Sequence, residues 1–151
     1  MKVIFLDFNG IVDTYEDLDV VNMDNLNRLK KLCEITGSRI VYTSSNRFSK
    51  FGRELLSEMI SKGLDIIDVT PKIENKREEE IKMYLSCNAE IDNYCILDDD
   101  FDMPSMKDHL VKLPVQAPGS LGFTEEYYEK ALKILGIKKE LDNGGLGYGR
   151  K

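Results

Sequence analysis

The sequence predicts an α/β fold, a three-layer sandwich around a mostly parallel five-stranded sheet. Two observations carry this. Short apolar runs alternate along the chain with segments of helical periodicity. Three of those runs end on residues that carry chemistry: Asp7 after 3–6, Thr43-Ser44 after 39–42, and Asp98-Asp99 after 94–97. Strands alternating with helices pair in parallel, because each crossover returns the chain to the same end of the sheet. Residues far apart in sequence are then expected to meet at one edge, where open α/β sheets bind ligands.

Residues 2–6 read as the first strand, followed by a polar stretch over 13–22. Leu26, Leu29, Leu32 and Ile35 recur at near-helical spacing, with Gly37 as the stop. A second strand covers 39–42 and runs into Thr43-Ser44-Ser45-Asn46-Arg47. A second helix over 50–62 is expected to bury Leu55, Leu56, Met59 and Ile60 and to end at Gly63. The third strand, 64–69, is broken by Pro71. Residues 76–87 form a third helix with Ile81, Tyr84 and Leu85 inward, behind a charged start. The fourth strand, 94–97, leads into Asp98-Asp99-Asp100, and 109–113 gives a short fifth strand that begins at His109. Thr124 is placed to N-cap a last helix with the stripe Tyr128, Ala131, Leu132 and Leu135, closed by Gly136. Residues 1–140 thus read as a single domain, and 141–151 as a glycine-rich flexible tail.

The bulk numbers exclude several classes. The chain has 151 residues, 42% of them hydrophobic and 32% charged, which fits one globular core. Its net charge of −6 argues against a generic nucleic-acid coat, though not against a local basic pocket. No apolar run is long enough to cross a membrane, and Met1 leads directly into the first strand, so no leader is expected. Cys33, Cys87 and Cys95 are widely spaced without a CxxC pair, which predicts reduced, buried thiols in a cytoplasmic protein.

The residues expected at the common edge describe phosphoryl transfer. Asp7, Asp98 and Asp99 supply hard oxygen ligands, a set suited to Mg²⁺ with a substrate phosphate. Thr43 and Ser44 offer hydroxyl and backbone donors just before a helix. Gly10 lets the backbone turn close to a ligand. Arg47, Lys72, Lys76 and Arg77 are candidate cations for phosphate or for the charge on Asp7. A carboxylate nucleophile beside metal, hydroxyl and cation implies an aspartyl-phosphate route.

The apolar strand with Asp7-x-Asn9-Gly10, the strand ending in Thr43-Ser44, the downstream Lys/Arg and Ile96-Leu97-Asp98-Asp99 together resemble the haloacid dehalogenase-like (HAD) superfamily. The stretches 42–47, 68–71 and 76–81 further resemble its small capless members linked to RNA-repair proteins, which usually carry tryptophan where this chain has Asn46. The resemblance implies a Rossmann-like sandwich and a Mg²⁺-dependent phosphomonoesterase. Carried over, Asp7 matches the nucleophile, and Thr43, or Ser44 in the other register, the phosphate-binding hydroxyl. Asp98, with Asp99 beside it, matches the metal-binding acid, and the Asn9 carbonyl a further metal ligand. Lys76 is the preferred match to the lysine, with Arg77 and Lys72 as alternatives.

The chain between Asp7 and Thr43 is too short for a cap as well as its helix, so no cap domain and an open site are expected. An open site suits a phosphorylated substrate such as a nucleotide or a nucleic-acid end; the oligomeric state stays open. Asn9 departs from the family, which has an aspartate there as general acid and base. An amide does not titrate, and such catalysis is worth about 10²–10⁴-fold. The alternative reading is therefore a non-catalytic module that binds a phosphorylated ligand.

Overall fold

The computed structural model describes residues 1–139; the expected tail of 141–151 lies outside the described residues. Five strands form one sheet in the order β3-β2-β1-β4-β5: β1 (Lys2–Leu6), β2 (Ser38–Tyr42), β3 (Ile66–Val69), β4 (Asn93–Asp98) and β5 (Leu110–Lys112). Every pairing is parallel. The helices are α1 (Met23–Thr36), α2 (Lys50–Ser61), α3 (Arg77–Ser86) and α4 (Glu125–Leu135).

The central strands read as unbroken apolar runs because both of their faces are covered. Along β1, Ile4 and Leu6 join a core with Leu26, Leu29 and Leu32 of α1, Leu55 and Met59 of α2, and Tyr128, Ala131 and Leu135 of α4. Val3 and Phe5 point the other way and pack with Ile81 and Tyr84 of α3 and with Met103 and Met106. Three helices thus cover one face, while α3 and a 3₁₀ segment, Pro104–His109, cover the other. This is the Rossmann-like sandwich, and among the described residues nothing resembling a cap domain interrupts it.

The register fixes what meets at the carboxyl edge. Leu6 lies opposite Tyr42 on one side and Leu97 on the other. The next residues are therefore level: the Asp7 N–H donates to the Leu97 carbonyl at 3.1 Å, and the Thr43 N–H to the Leu6 carbonyl at 2.8 Å.

Four local expectations are corrected. Ile60 is exposed on the outer side of α2, because a twelve-residue helix on one sheet face buries a narrow stripe, here Gly52, Leu55 and Met59. His109 ends the 3₁₀ segment instead of starting β5, and its ring stacks on Tyr94 at 3.9 Å. Thr124 precedes α4 but makes no side-chain cap hydrogen bond. Of the free thiols only Cys95 is fully enclosed; Cys87, at the end of α3, is exposed.

Candidate active site

Three acids converge at the carboxyl edge. One oxygen each from Asp7, Asp98 and Asp99 lies within 4.8 Å of the others, and all three residues are buried. Asp7 follows β1, whose enclosure forces the carboxylate out of water; its Oδ1 accepts the Phe8 N–H at 2.9 Å. Asp98 is the last residue of β4, and its Oδ1 accepts the N–H groups of Asp100 at 2.9 Å and Phe101 at 3.1 Å. Asp99 is held by the Gln116 N–H, which donates to Oδ2 at 3.2 Å. Gly10 is packed against it: a Cβ there would stand 2.1 Å from Asp99 Oδ2, and its φ of +84° is the left-handed region.

Among the described residues one guanidinium serves the cluster. Arg77, in the first turn of α3, donates from Nη1 to Asp98 Oδ2 at 2.5 Å and lies 3.7 Å from Asp7 Oδ2. Its Nη2 donates to Ser45 Oγ at 3.0 Å, and its Nη1 reaches Thr43 Oγ1 at 3.5 Å. The Phe101 ring covers it, 4.6 Å from the guanidinium carbon. Burial pushes the Asp7 carboxyl up to about 7, against the pull of Arg77 and with the Asp98 charge adding to the rise. Burial likewise raises Asp99 to about 6, opposed by the Gln116 N–H. Among the described residues, Arg77 pairs with two of these three carboxylates, so the cluster is short of positive charge. An all-oxygen, electron-rich donor set of this kind fits Mg²⁺.

Asp7 and Asp99 open into a cleft of roughly 340 Å³, and Asp98 is fully buried beside them. Its lining includes Asp7, Asn9, Ser44, Ser45, Arg77 and Asp99, together with Asn46, Asp100, Phe101, Val115 and Gln116. Several expected residues lie elsewhere. Thr43 is fully buried behind Arg77, whereas Ser44 and Ser45 reach the cleft. Lys76 turns outward: its ammonium lies 3.5 Å from Glu74, and it borders a separate groove with Glu79, Lys82 and Met83. Arg77, one residue on, is the residue set against Asp7 and Asp98. Arg47 is enclosed, with Nη2 3.3 Å from Glu80 and donors spent on the carbonyls of Ser44, Thr70 and Pro71, so it offers nothing to a phosphate in the cleft.

Some cleft residues carried no usable signal in sequence. Ser45 was within reach, since it extends the Thr-Ser run. Val115 and Gln116 follow β5 in a loop whose path depends on packing. Asp13, read only as the start of a polar stretch, is buried beside Asn9 and Gly10.

The profile of one family, described as "HAD domain in Swiss Army Knife RNA repair proteins", matches residues 3–127. A solved structure described as "Structure of Pnkp1/Rnl/Hen1 complex" aligns with a TM-score of 0.49 and 15% identity. That alignment covers 77% of this chain and 47% of the other, so the chain spans about half the length of its structural match. No curated protein matches.

Proposed function

This chain belongs to the family of HAD domains in Swiss Army Knife RNA repair proteins, and from that premise we propose a Mg²⁺-dependent phosphomonoester hydrolase acting through an aspartyl-phosphate. The observation that carries the reading is the meeting of Asp7, Asp98 and Asp99 around Arg77 at the mouth of one cleft. Asp7 Oδ2, with Arg77 as its side-chain partner, is the attacking oxygen. Asp7, Asp98, Asp99 and the Asn9 carbonyl would hold Mg²⁺, which when bound supplies the positive charge that this cluster and a phosphoryl group both need. Ser44 and Ser45, on the cleft wall, take up phosphoryl oxygens. Gly10 keeps the backbone close to Asp99.

The substrate class is a nucleotide or a nucleic-acid terminal phosphate, in keeping with the repair proteins that carry this domain. The cleft is open, as a phosphate on a long chain requires. Residues 1–140 act as one domain. Three free cysteines suit a reducing, cytoplasmic setting. Asn9 supports a second reading, a phospholigand-binding module, because an amide can neither protonate a leaving oxygen nor activate water.

The test is turnover of an aryl phosphate and of 5′- and 3′-phosphorylated nucleotides and oligonucleotides. Activity that needs Mg²⁺ and vanishes in Asp7→Ala is expected. Phosphate binding with turnover no greater than that of Asp7→Ala would establish the binding module instead.

A further inference from the structure

Among the described residues the side chain of Asn9 has two hydrogen-bond partners, and both are carboxylates. Its amide nitrogen donates to Asp13 Oδ2 at 2.8 Å and to Asp19 Oδ1 at 2.8 Å. Asp13 is fully buried, and its two oxygens collect donors from two segments, the connection between β1 and α1 and the loop after β5. Oδ1 accepts the Gly10 N–H at 2.8 Å and the Gln116 amide at 3.0 Å. Oδ2 accepts the Asp19 N–H at 2.9 Å besides the Asn9 amide. Asp19 is held in the left-handed region, φ +62°, to make these contacts. Strain of this kind persists only where the surroundings over-determine it.

We propose that Asp13 is a positioning residue that fixes position 9 as an amide, so that the site takes phosphate from leaving groups needing no proton from residue 9. The proposal rests on the hydrolase reading above. A buried carboxylate saturated by donors is stable only while each donor remains. A carboxylate at position 9 brings no donor and sets three acids against one another at hydrogen-bonding distance. The amide is thus a fitted part of the nucleophile loop and not a damaged acid. Through Gln116, whose backbone N–H holds Asp99, the same centre ties the loop of Asp7 to the acid that follows β4.

The chemistry balances without an acid at position 9. An Asp7 oxygen bonds to phosphorus while the bond from phosphorus to the leaving oxygen breaks. The electron pair leaves on that oxygen, which must hold it unprotonated, as a phenolate or another weakly basic oxyanion does. Water then adds to phosphorus, its proton passing to solvent, and Asp7 departs as a carboxylate. Within the nucleotide and nucleic-acid class proposed above, this favours a terminal phosphoanhydride, whose leaving oxygen belongs to a phosphate, over a phosphate on a sugar hydroxyl.

Four proteins test this: wild type, Asn9→Asp, Asp13→Asn and the exchange Asn9→Asp/Asp13→Asn, which restores a donor facing an acceptor. Melting temperature is read without metal, and kcat/KM is read with Mg²⁺ on aryl phosphates of graded phenol acidity. Each single change should lower Tm by about 5 °C or more, and the exchange should regain part of the loss. Wild-type kcat/KM should fall steeply as the phenol becomes less acidic, and Asn9→Asp should not flatten that slope. An Asn9→Asp protein that melts like wild type, or that gains rate on weakly acidic phenols, overturns the proposal; so does an exchange that melts no higher than the single variants. Should Asp13→Asn fail to fold, Asn9→Asp and the exchange decide. Should nothing turn over beyond Asp7→Ala, the hydrolase reading falls, and with it the leaving-group part; the melting series still judges the role of Asp13.

Discussion

Lys76 and Arg77 are adjacent in the chain but face different surroundings. Two consecutive residues in the left-handed region, Glu74 at φ +50° and Asn75 at φ +57°, turn the backbone just before α3. That turn sends the Lys76 side chain toward Glu74 and sets Arg77 against Asp98 and Asp7. Spacing along the sequence selects a helix start; it cannot say which residue of the first turn faces inward, since that follows from a turn conformation unusual for Glu. A clear prediction separates the two. Lys76→Ala should keep aryl phosphatase activity within about twofold, a surface change of small effect. Arg77→Ala leaves two buried carboxylates without their cation, and should abolish turnover and cost about 3–5 kcal/mol of stability. Steady-state assays and urea unfolding of the two variants check this, and equal losses in both would place the wrong residue at the site.

At the scale of elements, the strands were legible and the pieces between them less so. β1, β2 and β4 are enclosed on both faces, and so their apolar runs stand out against polar flanks. The segment 104–109 has no such signature: it forms a 3₁₀ turn because Pro104 and the packing of Met106 on α3's side of the sheet favour one. α3 was legible from Ile81 and Tyr84, but its two buried charged residues, Arg77 and Glu80, were not, because their burial depends on partners elsewhere. Glu80 pairs with Arg47, which follows β2 and also donates to the carbonyls after β3. One ion pair thus joins three elements. Burial lowers the Arg47 guanidinium from its usual range, with the Glu80 charge holding it up. Arg47→Ala is expected to destabilise by about 3–5 kcal/mol, because Glu80 is left buried and charged. Arg47→Met with Glu80→Leu should recover much of that loss, as apolar replacements of buried pairs often do. Chemical denaturation of the three proteins measures it; a cost below about 1 kcal/mol for Arg47→Ala would mean that the pair does not hold these elements together.

At the scale of the whole molecule, the sheet's geometry concentrates acid at one end, and folding stability should register that. The Asp7 carboxyl moves from an ordinary value of 3.8 to about 7 in the folded protein, chiefly through burial, and Asp99 moves from the same value to about 6. A raised value means that the folded state holds protons that the unfolded chain has released. The contribution of these groups is therefore fully present below pH 4 and is lost as pH rises through about 6 to 7. Each such proton changes stability by at most about 1.4 kcal/mol per pH unit within that window. Divalent metal acts in the opposite sense. It binds the deprotonated acids and competes with the protons, so its stabilisation grows with pH as its effective affinity for the folded state rises. Melting curves with EDTA should therefore show Tm falling between pH 5 and pH 7 relative to an Asp7→Asn protein, in which the largest of these shifts is removed. Addition of Mg²⁺ should raise Tm little at pH 5 and most above pH 7, and the Asp7→Asn protein should gain less at every pH. A Mg²⁺ response that is the same at pH 5 and pH 8, or that Asp7→Asn leaves untouched, would mean that the ion binds somewhere other than among these three carboxylates.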